Sequence, residues 1–192
     1  MDEFIDLIKN HPEQANAFIA VCALVVSFLS ILLTFYTAWL QRRHNFKSLT
    51  PIATIPVGDY EDNLEVRLRN AGVGPLIVEQ FVASDGNQQE NNIIFWMPEL
   101  PEGIYWSTFT SEIVDLCIPP NQDAILIQLI GDSADKQFAL FRDTVRRALS
   151  RLTVTVEYKD IYGRSMPTKQ RDLKWFARQL PEEDAVTGEE RA

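Results

Sequence analysis

The chain has 192 residues, a formal net charge of −9, two cysteines and two histidines. The length admits one domain plus a membrane segment, and the acidic balance argues against a general nucleic-acid binder. Cys22 sits in an apolar run apart from Cys117, which excludes a disulfide framework, and His11 and His44 precede the candidate globular region, which removes most histidine catalysis and zinc chemistry there.

The first predicted element is a transmembrane helix over residues 17–40, after an N-terminal tail at 1–16. No charged residue occurs between Glu13 and Arg42. A hydrocarbon core of roughly 30 Å needs about 20 apolar residues at ~1.5 Å each, and this run supplies them. Ser27, Ser30, Thr34 and Thr37 can return their hydroxyls to the helix backbone. Tyr36 and Trp39 lie at the end of the run, where amphipathic rings prefer the membrane interface. The acidic start (Asp2, Glu3, Asp6) and the bulky Trp39-Leu40 end speak against a cleaved signal peptide. Only Lys9 precedes the span, whereas Arg42, Arg43 and Lys47 follow it, so the expected orientation is N-terminus outside and C-terminal domain cytoplasmic, at the inner (plasma) membrane. Ser27, Ser30 and Thr34 share one helix face; the plainer expectation is tolerated hydroxyls facing lipid, and self-association through that face is the alternative. Phe4, Ile5, Leu7 and Ile8 suit a short interfacial helix within Met1–Lys9, and a frayed tail suits the segment equally well.

After a juxtamembrane linker at 41–50, residues 51–180 read as a mainly β domain. Alternation in Leu64–Asn70 marks a half-buried strand. Asn70-Ala-Gly-Val-Gly-Pro75 is a turn whose glycines can take positive φ. Further strands are expected at Leu76–Val82, Ile93–Met97, Ile104–Phe109, Ala124–Ile130, Leu152–Tyr158 and Ser165–Phe176. Within Ala134–Arg151, Phe138, Phe141, Val145 and Leu149 recur at helical spacing, with Asp132 or Ser133 as N-cap. The expected fold is an N-terminal transmembrane helix plus an antiparallel, immunoglobulin-like β-sandwich with one inserted α-helix; a closed barrel with a helical plug is the alternative. Residues 181–192 read as a disordered acidic tail.

Charge is polarised along the sequence. Arg142–Arg178 holds ten Lys or Arg against four Asp or Glu, and Ser48–Phe141 holds three against fourteen. Clustered basic residues would suit an anionic leaflet or a phosphate ligand. Arg142, Arg146, Arg147 and Arg164 are the candidate ligand-binding residues, although a solvated helix face places the first three equally well. Tyr36, Trp39, Arg42, Arg43 and Lys47 are the candidate membrane-interface residues.

Catalytic patterns are missing. There is no P-loop and no Gly-x-Ser-x-Gly, and no triad can form without a histidine in the domain. Cys117, between Leu116 and Ile118, reads as a buried thiol. Asp59-Tyr-Glu-Asp62 reads as a solvated turn rather than a calcium loop. Asp160 reads as turn chemistry rather than a general acid or base, and Trp96, Trp106 and Trp175 as core plugs. No metal or cofactor is expected.

Three stretches resemble a loosely defined group of uncharacterised bacterial single-pass membrane proteins. They are Arg42-Arg-His-Asn-Phe-Lys-Ser-Leu-Thr-Pro51, with its basic-His-Asn segment leading to a proline; Leu68-Arg-Asn-Ala-Gly-Val-Gly-Pro75, with its Asn-x-Gly-x-Gly-Pro turn; and Tyr158-Lys-Asp-Ile-Tyr-Gly163, with its Tyr-x-Asp-x-x-Gly corner. Where that group has Ala after Gly-Pro, this chain has Leu76. The resemblance implies an architecture, not an activity. A second similarity, architectural only, is to prokaryotic antiviral effectors that join several transmembrane helices to a β-barrel sensing cyclic nucleotides; this chain has one such helix.

Three functions follow as expectations. The first is a non-enzymatic, membrane-anchored interaction module whose partners are the lipid bilayer and a protein partner or second copy, with no nucleic acid. The alternative is a nucleotide- or phosphate-sensing membrane effector working through helix oligomerisation. The third is a hydrolase using Asp160 or Asp115, which would require a cleft with carboxylates of raised pKa.

Overall fold

In the computed structural model the described residues run from Pro12 to Leu180. The proposed interfacial helix in Met1–Lys9 and the acidic tail at 181–192 lie outside them. The chain divides into two compact units, Met1–Ser48 and Leu49–Ala192.

The described residues of the first unit form one helix, α1 (Pro12–Ser48). Pro12 suits a first turn, where its missing N–H is not needed, and Pro51 disfavours helical geometry at Thr50. At ~1.5 Å per residue the helix is about 55 Å long, well beyond a ~30 Å hydrocarbon core. Residues 41–48, expected as part of a linker, are therefore helical; Gln, Arg and Lys are good helix formers with nothing to break the run. Every residue from Ala17 to Leu40 is exposed, and the helix is long and apolar enough to cross a membrane.

The second unit is built on two antiparallel five-stranded sheets and no barrel. In the first sheet, β3 (Asn63–Asn70) carries β1 (Ala53–Thr54) and β2 (Val57–Asp59) on one edge. On its other edge lies β8 (Asp123–Ile130), followed by β6 (Thr108–Phe109). In the second sheet, β4 (Leu76–Ser84) carries β5 (Gln89–Glu90) and β7 (Cys117–Ile118) on one edge. On its other edge come β9 (Thr153–Lys159) and β10 (Lys169–Asp172). Helix α2 (Lys136–Ser150) joins β8 to β9, as its spacing foretold.

Period-two burial drives the sheets. In β9, Val154, Val156 and Tyr158 are buried and alternate with half-buried or exposed residues. In β4 the alternation slips: Leu76 and Val78, then Phe81 and Ala83, are buried. A bulge between Val78 and Gln80 absorbs the extra residue. A second bulge, at Leu126 of β8 opposite Val66 and Arg67 of β3, lets the consecutive Leu126 and Ile127 both reach the core. One apolar cluster joins both sheets to Phe138, Phe141, Val145 and Leu149 of α2. Each such fully buried side chain contributes roughly 1.5–3 kcal/mol. Trp96, Trp106 and Trp175 pack half-buried against this cluster.

Four local expectations are corrected. Ile93–Trp96 is a 3-10 turn capped by Asn92, not a strand, because the Asn92 side chain offers the Ile94 N–H a local acceptor. Ile104–Phe109 is strand only at Thr108–Phe109. The final strand stops at Asp172, whose carboxylate accepts from Lys174 N–H and opens a 3-10 helix at Lys174–Gln179. The N-cap of α2 is Asp135, which accepts from Gln137 N–H at 2.9 Å; Asp132 instead closes a preceding turn through Ala134 N–H.

Candidate functional site

The candidate membrane-interface residues all lie on the last third of α1. The Tyr36 and Trp39 rings approach to 6.5 Å, and the Arg43 guanidinium stands over the Trp39 ring at 5.6 Å. Arg42 and Lys47 follow on the same helix. Ser27, Ser30 and Thr34 each donate a hydroxyl to the carbonyl four residues back at 2.8 Å, so these three hydroxyls are satisfied within the helix. Ser30, Ile31, Thr34, Phe35 and Ala38 line a shallow groove along the helix.

The Asn70–Pro75 turn is a clamp. Asn70 is fully buried. Its amide donates to Gly74 O (2.7 Å) and Ile118 O (3.0 Å), and its carbonyl oxygen accepts from Gly72 N–H (3.0 Å) and Ile52 N–H (3.3 Å). Ala71 N–H and Val73 N–H complete the grip on Ile52 O and Thr50 O. Neither Gly72 nor Gly74 has positive φ, contrary to the expectation from the turn. Both are glycine because backbone passes against them: a Cβ on Gly74 would strike the Leu49 carbonyl, and one on Gly72 would come within 2.5 Å of Thr50 O. The Tyr158 hydroxyl accepts from Ala53 N–H at 3.2 Å. Two of the motifs singled out in the sequence thus hold one segment, Leu49–Ala53.

The four candidate arginines do not converge. Arg146, expected on the polar side of the helix, is buried. Its guanidinium grips Asp59 (2.7–3.2 Å) and Asp143 (2.6 Å). Burial opposes its charge most, but the bonds to Asp59 and Asp143 outweigh that and raise its pKa. Asp59, expected in a solvated turn, has a fully buried side chain. Arg142 donates to the carbonyls of Tyr60 and Glu61. Both arginines therefore fasten α2 to the β2–β3 turn. Arg147 is a half-buried residue in the last turn of α2.

Arg164 lies elsewhere, at the corner after β9. There the buried Asp160 carboxylate accepts from the N–H groups of Tyr162 and Arg164 (both 2.9 Å) and from the Arg164 side chain (2.8 and 2.7 Å). Gly163 closes the turn at φ +76°. Burial alone would raise the Asp160 pKa, but the Arg164 and Tyr162 donors prevail and lower it. A carboxylate saturated in this way is a poor proton acceptor. Asp115 lies on the β7 side of β4, its N–H bonded to Val78 O, whereas Asp160 follows β9 on the other side. Cys117, expected buried, is exposed in β7, where the pleat turns Ile118 inward instead. Among the described residues no group of three His, Cys, Asp or Glu is placed to hold a metal ion.

Sequence reasoning missed the β6 margin of the first sheet. Tyr105 (74% exposed), Phe109 (43%) and Ile130 (51%) stand out there. Trp106 tilts against Phe141 at 6.0 Å. The Asn92 amide ties the 3-10 turn carrying exposed Phe95 to the same margin through Thr110 O and Ser111 O. A groove of about 300 Å³ runs between Tyr105–Ser107, the end of β8 and the start of α2. The signal was in the sequence: no charged residue lies between Glu102 and Glu112, a stretch read only as a strand at Ile104–Phe109, and it marks an unguarded edge.

The sequence matches no family model. Nor does it match any curated protein. The functional reading rests on the geometry just described.

Proposed function

We propose that the chain is a membrane-anchored, non-enzymatic interaction module. Helix α1 crosses the inner membrane once with the N-terminus outside, and the two sheets form an immunoglobulin-like sandwich presented to a protein partner or second copy at the cytoplasmic face. One observation carries the reading: the uniformly exposed, charge-free stretch Ala17–Leu40, which finds its free-energy minimum in lipid. The distribution of polar groups supports a binding rather than a chemical role for the domain. Arg142 and Arg146 are bonded to protein acceptors, and Asp160 is saturated with donors, which favours this reading over phosphate sensing or hydrolysis.

The test is fractionation followed by cysteine labelling. Full-length protein is expected in the membrane pellet after alkaline carbonate washing. A membrane-impermeant maleimide applied to intact cells is expected to label a cysteine introduced at Asn10 and to spare one at Gln89. Protein in the carbonate supernatant would overturn the anchor, and the reverse labelling pattern would overturn the orientation.

A further inference from the structure

The groove beside β6 offers an extended peptide both an edge and a charge to recognise. Sheet edges elsewhere in this unit are guarded: β10 carries Lys169, Arg171 and Asp172, the β1–β2 margin is interrupted by Pro56, β5 ends in Glu90, and β7 runs into Pro119-Pro120. Such residues discourage strand addition. The β6 margin, Gly103–Phe109, has no charge and no proline; beyond it the Thr110 and Ser111 carbonyls are taken by the Asn92 amide. It presents Tyr105 and Phe109 to solvent beside a groove floored by Trp106 and Phe138.

The chain segment that carries the margin is acidic, and the Arg142 guanidinium, over Phe138 at 6.0 Å, is already bonded to the Tyr60 and Glu61 carbonyls. From Asn70 through Asp135 there are ten Asp or Glu and no Lys or Arg. Asp132 and Asp135 line the groove, and Glu102 and Glu112 bracket the margin in sequence; Lys136 is the nearest basic residue along the chain. This charge disfavours a second copy of a chain carrying −9 overall and disfavours an anionic lipid surface. It suits a basic partner.

Resting on the anchored-module reading, we infer that the β6 margin binds an extended segment of a partner protein with alternating apolar and basic side chains. The segment adds a strand beside β6, lays its apolar side chains against Tyr105, Phe109 and the groove, and points its basic ones at Asp132 and Asp135. This is strand addition, in which backbone bonds supply affinity and side-chain pockets supply selectivity.

The probe is a short fluorescein-labelled synthetic peptide of alternating Val and Lys, titrated onto the full-length chain in phosphatidylcholine nanodiscs, with a Val–Glu peptide as control. The Val–Lys peptide is expected to bind saturably, at least about tenfold more tightly than its acidic counterpart, and to weaken as salt rises. Phe109→Lys, which guards the edge, is expected to weaken binding about tenfold, as is Tyr105→Ala. Gln89→Lys adds the same charge on exposed β5 and is expected to leave binding unchanged. Equal weakening by Phe109→Lys and Gln89→Lys, or no saturable binding, overturns the proposal. So does a dimer of the full-length chain that Phe109→Lys dissociates, which would assign the edge to a second copy. A chain that integrates into nanodiscs but ignores the peptide overturns this proposal alone; one that does not integrate overturns the anchored module as well.

Discussion

Asn70 commits both amide hydrogens and its carbonyl oxygen to four backbone groups. Truncation leaves those buried groups without partners, at about 1–3 kcal/mol each where water cannot reach. Asn70→Ala is therefore expected to cost about 3 kcal/mol or more, read as the shift in a urea denaturation curve followed by tryptophan fluorescence. Gly74→Ala is expected to be comparably damaging, since its methyl meets the Leu49 backbone rather than a movable side chain. Asp160 yields a prediction in pH. Its folded pKa lies below the unfolded value, so its contribution is fully present above the unfolded pKa and is lost as pH falls through the folded one. Wild type is expected to lose more thermal stability than Asp160→Asn between neutral pH and about pH 3. Parallel Tm-against-pH curves for the two proteins would refute this. The Asn-x-Gly-x-Gly-Pro turn was plain in the sequence, but the role of its glycines was not. A pattern of residues cannot say which distant backbone passes within van der Waals distance of a given Cα.

At the scale of elements, α2 is the informative case. Its existence followed from Phe138, Phe141, Val145 and Leu149 at helical spacing. Its docking was hidden, because Arg146 reads as an outward charge until Asp59, eighty-seven residues away, is brought beneath it. Removing one member of a buried pair strands the other, and Arg146→Ala is expected to cost about 3–5 kcal/mol. Replacing both, as Asp59→Leu with Arg146→Met, is expected to recover much of that loss. A double-mutant cycle in urea checks both; additive losses would show that the two side chains act independently. The 3-10 turn at Ile93–Trp96 shows the converse. Its apolar run suited a strand, but the side-chain cap at Asn92 gave the backbone a nearer partner than any sheet edge.

On the scale of the whole molecule, the long apolar helix and the sheets are separate units with separate physics. Leu29→Arg places a charge mid-span and is expected to cost about 2.5–3.5 kcal/mol of insertion free energy. The carbonate-resistant fraction should fall accordingly, whereas Leu140→Arg, on the exposed face of α2, should leave it unchanged.

Run length and hydrophobic periodicity were enough to read a long apolar helix near the start, the β character of the domain and the position of α2, because both act locally and need no knowledge of the fold. Tertiary structure alone decided that Arg146 is buried, that Cys117 is exposed, that Gly72 and Gly74 accommodate passing backbone and that β6 is an open edge. Each of those depends on which remote segment arrives at a position, and pairing across dozens of residues leaves no local trace.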